Sequence, residues 1–455
     1  MRSICEHERV IPIIVETDVL VAGGGTAGAV AAISAAREGA NVVLIEQFGG
    51  LGGTATQSLV TPMMHTYIEN NPMCSSISQE INDRLIESGY GYKGNNGNGG
   101  YFDPLMLKYL LEKMAVESGV NLLYYTFVSD VIIKDNKVQG LIIENKNGRN
   151  ALLGKVIIDC TGDADLAWKA GVPCDKGDED GKNQPLSLRY LVGGIDLEKF
   201  SDFIRNYDKN FRYKESIFYS AVTSKGDGVL DPVFKEAIKK GDLTEEDAIY
   251  WEIFGVPGRY DTLAFNCPEF FEDVDGTNAY HLTKAQIKGK EAIMRHLKFY
   301  KKYFNGFENA YVSEIAPMVG IRESRRIIGE YKLSDEDVLL KRKFNDYIAK
   351  SNYPVDIHGK TLKYEDLKAV EDDRPYYEIP YRCLLPVDIE NMLVAGRCIS
   401  ASFLAQSSLR IQPTVRAIGE AAGIAAAIAV KEDILLQQID GTRIREIMID
   451  RGGNF

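Results

Sequence analysis

The residues of this chain best suited to move protons or hold an anion are a few histidines and arginines. His358, in Pro354-Val-Asp356-Ile-His358-Gly359, sits in a loop-like stretch rather than an apolar run. Imidazole titrates near neutral pH, so a histidine placed there can serve as an acid or base. His65, just after Thr61-Pro-Met-Met64, is a second candidate. The alternative for both is an ordinary surface or structural histidine. Arg322, Arg382 and Arg410 can clamp an anionic or strongly polar substrate, because guanidinium offers paired donors in a fixed fork. Against that stands internal ion pairing with Glu323, Glu330 or Glu378. Tyr381 can orient a substrate, although no spacing rule requires it.

A second chemical signal is richer in backbone than in side chains. The apolar run Asp18–Ala22 leads into Gly23-Gly-Gly25-Thr26-Ala27-Gly28, an alanine-rich helical stretch follows, and Asn41–Ile45 ends at Glu46. Strand, tight turn, helix and strand in that order make a dinucleotide site. Gly23 permits the sharp turn, Gly25 lets the backbone approach a pyrophosphate, and Gly28 lets helix and strand lie close. Glu46 falls where a carboxylate can accept hydrogen bonds from ribose hydroxyls. The continuation Phe48-Gly-Gly-Leu-Gly52-Gly53-Thr54 is a second side-chain-poor segment. A nicotinamide-only enzyme has no obvious use for it, whereas an extended FAD must be passed closely there. FAD is therefore the expected cofactor.

The elements that position these groups are legible in part. Residues 55–120 look largely helical, broken by the glycine–asparagine stretch 89–100, which is a surface loop or a lid. Asp103-Pro104 starts a helix running to about Ser118. Val128–Lys134 and Val138–Glu144 flank a turn at 135–137, and Lys155–Asp159 is a further strand that opens into Thr161-Gly162-Asp163. From about Val172 to Ile315 the chain turns richer in Lys, Asp, Tyr and Phe, and its recurring aromatics read as core. No second complete GxGxxG unit occurs. That favours direct exchange between flavin and a small-molecule substrate, or electron exchange with a separate reductase or acceptor.

Composition narrows the classes. With 455 residues, 45% of them hydrophobic, two structural units are expected. A net charge of -12 argues against a nucleic-acid partner. No signal peptide is read at the N-terminus, and the apolar stretch Ala417–Val430 is too short to span a bilayer, so a cytoplasmic location is expected. The seven cysteines form no CxxC pair, and no metal site is expected.

Three late segments are dense in polar residues: Gly320–Tyr331, Tyr377–Pro386, and Leu393–Gly423 with its Gly396-Arg397 pair and the small residues Gly419, Ala421, Ala422 and Gly423. Those small residues allow close helix packing, and the N-terminus of that helix can stabilise negative charge on a reduced flavin. With the motifs Gly23–Gly28, Glu46, Gly49–Thr54 and Asp159–Asp165, the chain resembles the bacterial FAD-dependent oxidoreductases, related at superfamily level to the fumarate reductase and glutathione reductase flavoproteins. The resemblance covers nearly the whole chain. It implies an α/β fold of glutathione-reductase type: an FAD-binding Rossmann-like domain with an inserted mixed α+β substrate domain. The expected divisions are 1–170, an inserted substrate or cap domain at 171–315, and a return over 316–455. It implies FAD contacts from Gly23, Gly25, Gly28, Glu46, Gly53, Gly162, Asp163, Gly396 and Arg397, with the adjoining Thr26, Ala27, Gly52, Thr54 and Thr161. Ala417–Gly423, including Gly419 and Ala422, is implied to lie near the isoalloxazine. Relatives often carry a histidine in the loop after Gly-Arg; here Ser402-Phe403-Leu404 stands there, so no proton carrier is inherited at that loop. The expected activity is oxidation or reduction of a small polar or carboxylated molecule by hydride transfer to or from flavin N5. An FAD-containing isomerase or hydratase, or an electron-transfer flavoprotein, remains the alternative, and an oligomer is left open.

Overall fold

The structure, a computed structural model, describes residues 2–5, 8–64, 67–68, 71–72, 75–93, 100–209, 211, 219–222, 228–358 and 375–455. Its larger sheet is built on β1 (Ile13–Ala22), which pairs in parallel with β2 (Val42–Ile45) on one side and with Gly148–Asp159 on the other. Asn121–Leu123 extends the sheet beyond β2, and Met392–Val394 pairs in parallel with the end of Gly148–Asp159. Residues Val19–Ala22 and Val42–Ile45 are apolar without alternation because both faces of a parallel sheet are covered. Phe127–Lys134 and Lys137–Asn145 form an antiparallel hairpin on the first half of Gly148–Asp159. Its turn residues Asp135 and Asn136 both have positive φ, the conformation that matches the twist of paired strands.

One face of this sheet is covered by α1 (Thr26–Arg37) and by the helix Gln412–Glu432. The two helices pack so closely that a Cβ on Gly419 would stand 2.3 Å from the Ala27 carbonyl oxygen, and one on Gly423 2.3 Å from that of Ala31. The small-residue stripe is therefore a helix–helix seam, as its composition suggests. Gln412–Glu432 has the length and apolarity to cross a membrane, which corrects the expectation that this stretch is too short. In the fold, 94% of its apolar window is buried against protein.

Pro104–Glu117 begins where Asp103-Pro104 predicts, with the Asp103 carboxylate accepting from the N–H groups of Leu105 and Met106. The reading of 55–120 as largely helical is too generous. Ser76–Glu87 and Pro104–Glu117 are helices, but after the short turn Gly53–Ala55 the described part of 56–75 is irregular or paired in short strands. Its Thr56, Gln57, Ser58 and Thr61 are buried polar residues that serve loop hydrogen bonding and packing rather than a helix face. Of the glycine-rich stretch 89–100, Gly91–Lys93 pairs with Gly100–Phe102, and 94–99 lie outside the described residues, including the positions where a lid is expected.

A second, antiparallel sheet has the order Tyr219–Val222, Trp251–Val256, Arg259–Phe265, Tyr190–Gly193, Tyr311–Ile315. Behind it lie the long helix Ala279–Tyr303 and an aromatic core of Tyr190, Phe200, Phe234, Trp251, Phe265, Phe299 and Tyr300. The polar atoms of that core are satisfied: Trp251 Nε1 donates to the Tyr300 hydroxyl (2.8 Å), which lies 2.7 Å from that of Tyr190. An α/β fold with a Rossmann-like sheet and an added α+β unit follows, as the sequence implies.

Candidate functional site

Four parallel strands end level with one another. Ala22 is opposite Ile45 and Asp159, and Asp159 is opposite Val394. Their carboxyl ends therefore deliver Gly23, Glu46, Cys160-Thr161-Gly162 and Ala395-Gly396-Arg397 to one place, the position at which open α/β sheets bind ligands. Gly23, with φ +93°, makes a turn that a side chain would strain, and its Cβ would meet the Cys160 carbonyl oxygen at 2.5 Å. Gly25 caps α1 with no side chain in the way. The second glycine segment lies back against this loop: Gly52 N–H donates to Gly24 O (2.8 Å), and Thr26 Oγ1 donates to Gly52 O (3.2 Å).

Glu46 is held by backbone donors, Gly24 N–H to Oε2 (2.7 Å) and Phe48 N–H to Oε1 (2.8 Å). Burial raises its pKa and these N–H groups oppose the rise. Asp159 anchors the Thr-Gly-Asp turn, accepting from the N–H and hydroxyl of Thr161 and from the N–H groups of Leu166 and Ala167. Burial pushes its pKa up to about 6 against those bonds. Arg397 lies across Gly162 and donates to Asp163 (2.8 Å); burial disfavours its charge, but Asp163 outweighs that, and its Nε has no partner.

These groups open onto a cavity of about 940 Å³, lined by Gly23, Gly25, Thr26, Ala27, Glu46, Gly53, Thr54, Thr161, Gly162, Asp163, Gly396 and Arg397. A backbone cradle that side chains would fill, an acid beside it and an orphaned guanidinium donor fit an extended dinucleotide. Four expected contact residues stand behind the cavity wall instead. A Cβ on Gly28 would lie 1.8 Å from Gly23 O, and Gly52 is the left-handed hinge of the second segment. Gly419 and Ala422 are buried in the helix seam, so the expectation that they touch flavin is corrected. Of that helix, Gln412 and Val415 near its start reach the cavity.

The same cavity extends into a polar chamber beneath the second sheet. Alternation decides which residues face it: Ser187 and Arg189 line the chamber while Leu188 and Tyr190 enter the core, and Tyr250 and Glu252 line it while Trp251 and Ile253 enter the core. Arg322, Tyr353, Asp356, His358 and Arg410 complete the opposite wall. His358 is placed between two carboxylates, with Nδ1 3.0 Å from Glu269 Oε1 and Nε2 3.2 Å from Asp356 Oδ1. Arg322 also pairs with Glu269, and Arg410 pairs with Asp356 (3.0 Å). Arg322 and Arg410 thus line the chamber, and their ion pairs run to Glu269 and Asp356, which corrects the expected partners Glu323, Glu330 and Glu378: Glu323 pairs with Arg326 and Glu378 with Lys343.

Tyr381 and Arg382 do not reach the chamber, which corrects their expected roles. They lie in the short helix Tyr381–Leu384, where the buried Tyr381 hydroxyl donates to Leu436 O (3.1 Å) and Arg382 pairs with Asp346 (2.8 Å) over the Tyr331 ring. Both satisfy their own polar groups in packing. His65 lies outside the described residues. Residues missed at the sequence level are Arg189, Tyr250, Glu252, Asn266 and Glu269. The available signal was an isolated charge inside an apolar run, as in Leu188-Arg189-Tyr190-Leu191.

Burial and the charge of Arg322 both act against the His358 imidazolium, but Asp356 and Glu269 outweigh them and raise its pKa above the ordinary value. A raised folded-state pKa contributes stability that is fully present below the unfolded value, about 6.5, and is lost as pH rises through the folded one. The stability margin of the wild type over His358→Gln, read from urea unfolding, is therefore expected to shrink as pH rises from about 6.5. A margin that grows with pH would mean that His358 is held neutral.

Parts of this chain are similar to known proteins. Thiamine thiazole synthase from Methanococcus aeolicus is 31% identical over 166 residues, 33% of this chain and 57% of that protein. Digeranylgeranylglycerophospholipid reductase from Methanosarcina acetivorans is 26% identical over 198 residues, 40% of this chain and 46% of that protein. The chain thus spans about half the length of the curated relatives it matches. Among solved structures, p-nitrophenol 4-monooxygenase from Pseudomonas putida aligns over 96% of this chain and 86% of its own, at TM-score 0.48 and 11% identity. The profile of the family described as FAD dependent oxidoreductase matches residues 18–448. The glycine cradle, the buried acid beside it and the family match converge on one cofactor, FAD, and the chain belongs to the FAD dependent oxidoreductases.

Proposed function

We propose that this flavoenzyme transfers a hydride between FAD N5 and a small polar organic substrate held in the chamber beneath the second sheet. The observation that carries the reading is the continuity of one cavity from the glycine cradle to a chamber lined by Arg189, Tyr250, Glu252, Arg322, His358 and Arg410. FAD, when bound, supplies the two-electron chemistry. The chain's own residues supply position and protons. Arg397 and the Thr161–Asp163 turn hold one another in the cavity wall. His358, carboxylate-flanked on both ring nitrogens, holds a proton at the chamber surface and can pass it to or from a substrate oxygen as charge changes there.

The test is the visible spectrum of the purified protein, followed anaerobically while small hydroxy acids, sugars and amines are added. Bleaching of a flavin spectrum by one class is the expected result. Turnover of a substrate with no net change in flavin absorbance would replace this reading with an isomerase or hydratase. A flavin that only a separate reductase bleaches would make the substrate an acceptor, and a protein that stays colourless after reconstitution would remove FAD itself.

A further inference from the structure

Most buried charges of the chamber have partners within the chain. Arg322 and His358 share Glu269, and Arg410 and His358 share Asp356. Glu252 receives Asn266 Nδ2 (2.9 Å) and the Tyr250 hydroxyl. Arg189 has no ion pair among the described residues, and its Nε is buried without any hydrogen-bond partner, although the residue is only 9% exposed. Its backbone is not free to withdraw it, since its carbonyl accepts from Ala316 N–H (3.0 Å) and its neighbours Leu188 and Tyr190 are locked in the core. An unpaired buried cation is costly, so it persists where a ligand completes it.

We propose that Arg189 is the seat of a carboxylate, and that the substrate is a small monoanionic organic acid; this rests on the chamber being the substrate site. The charge balance favours one negative charge. Arg189, Arg322, Arg410 and the carboxylate-flanked His358 face Glu252, Glu269 and Asp356, four cationic groups against three anionic ones. A second charge on the same group, as in a phosphate dianion, would meet those three carboxylates uncompensated. The planar fork of guanidinium matches the two oxygens of a carboxylate. Burial lowers the pKa of Arg189 to about 10, with Glu252 and Glu269 offsetting part of that through space, so it remains charged at neutral pH. Beside it, Asn266 Oδ1 is a buried acceptor without a partner, suited to a neutral donor on the same molecule.

The test uses propionate and its neutral counterpart propionamide on the flavin-loaded full chain in low-chloride buffer, reading thermal unfolding and flavin absorbance in the same samples. Propionate is expected to raise the unfolding temperature and perturb the flavin spectrum, and propionamide to do neither. Arg189→Met is expected to unfold at the wild-type temperature or above without ligand, and to bind propionate at least about tenfold more weakly. Arg189→Lys is expected to recover part of that loss. Equal responses to both probes, retention of the propionate response in Arg189→Met, or a response to inorganic phosphate alone would each overturn the assignment. So would marked destabilisation of Arg189→Met, which would make Arg189 structural. A yellow protein indifferent to propionate sinks this inference alone; a colourless one that binds it through Arg189 sinks the flavoenzyme reading alone.

Discussion

Gly28→Ala is expected to purify without flavin, and Gly25→Ala is expected to do the same for a different reason. At Gly28 the new methyl would stand 1.8 Å from the Gly23 carbonyl oxygen and 2.8 Å from Cys160 Cβ, so α1 must move away from the turn it follows. Overpacking of that kind costs about 1–3 kcal/mol, and more when the obstacle is backbone. A misalignment worth about 3 kcal/mol weakens the cofactor on the order of 100-fold. At Gly25 a methyl meets nothing nearer than Gly53 Cα at 3.9 Å, and its φ of -70° suits any residue. Gly25→Ala should therefore unfold in urea like the wild-type apoprotein while losing flavin, because the methyl stands where the backbone must approach the cofactor. Flavin-to-protein absorbance ratios and fluorescence titration on reconstitution measure both variants. Wild-type flavin affinity in Gly25→Ala would show that this loop is not the cofactor's seat.

Gly419→Ala is expected to destabilise the protein, although replacing glycine by alanine inside an exposed helix would ordinarily stabilise it by about 1 kcal/mol. The position is interior to Gln412–Glu432, and its Cβ would lie 2.3 Å from the carbonyl oxygen of Ala27. The clash outweighs the propensity gain, for a net loss of about 1–2 kcal/mol in urea unfolding. Because Ala27 itself lines the cavity, the displacement reaches the cradle, and flavin affinity should fall with stability. A stabilised variant with unchanged flavin binding would mean that the two helices have room to separate. Gly423→Ala, opposed to the Ala31 carbonyl at the same distance, should lose stability with a smaller effect on flavin, since Ala31 lies one turn farther from the cavity.

The cradle was legible because its chemistry is local. A strand, a glycine turn, a helix and an acid within residues 18–46 specify a dinucleotide loop from spacing alone, and Gly23, Gly25 and Glu46 line one cavity, joined there by Gly53 of the following glycine segment. Gly396-Arg397 and Thr161–Asp163 came into view through short apolar strands ending in glycine, and parallel register then brought all of them level. The small residues around Gly419 and Ala422 announce close helix packing, and the partner is α1; the flavin contact expected of them came from the resemblance and not from their own chemistry. Tyr381 and Arg382 have side chains suited to a site, but the fold spends their polar atoms on Leu436 and Asp346.

The cofactor, the sheet at its cradle and His358 as a proton carrier candidate are legible in the chain, since each depends on short-range pattern. The polar chamber is assembled only by folding. Glu252, Glu269, Arg322, Asp356 and Arg410 are scattered over more than 150 positions, and strand alternation together with long-range pairing chooses which of them meet. Arg189 is the clearest case: its sequence neighbourhood is an apolar run, and its meaning comes from a buried Nε without a hydrogen-bond partner and from making no ion pair among the described residues. Whether a charge is paired is a property of three-dimensional distance, because the Coulomb energy falls with separation in space and is blind to separation along the chain.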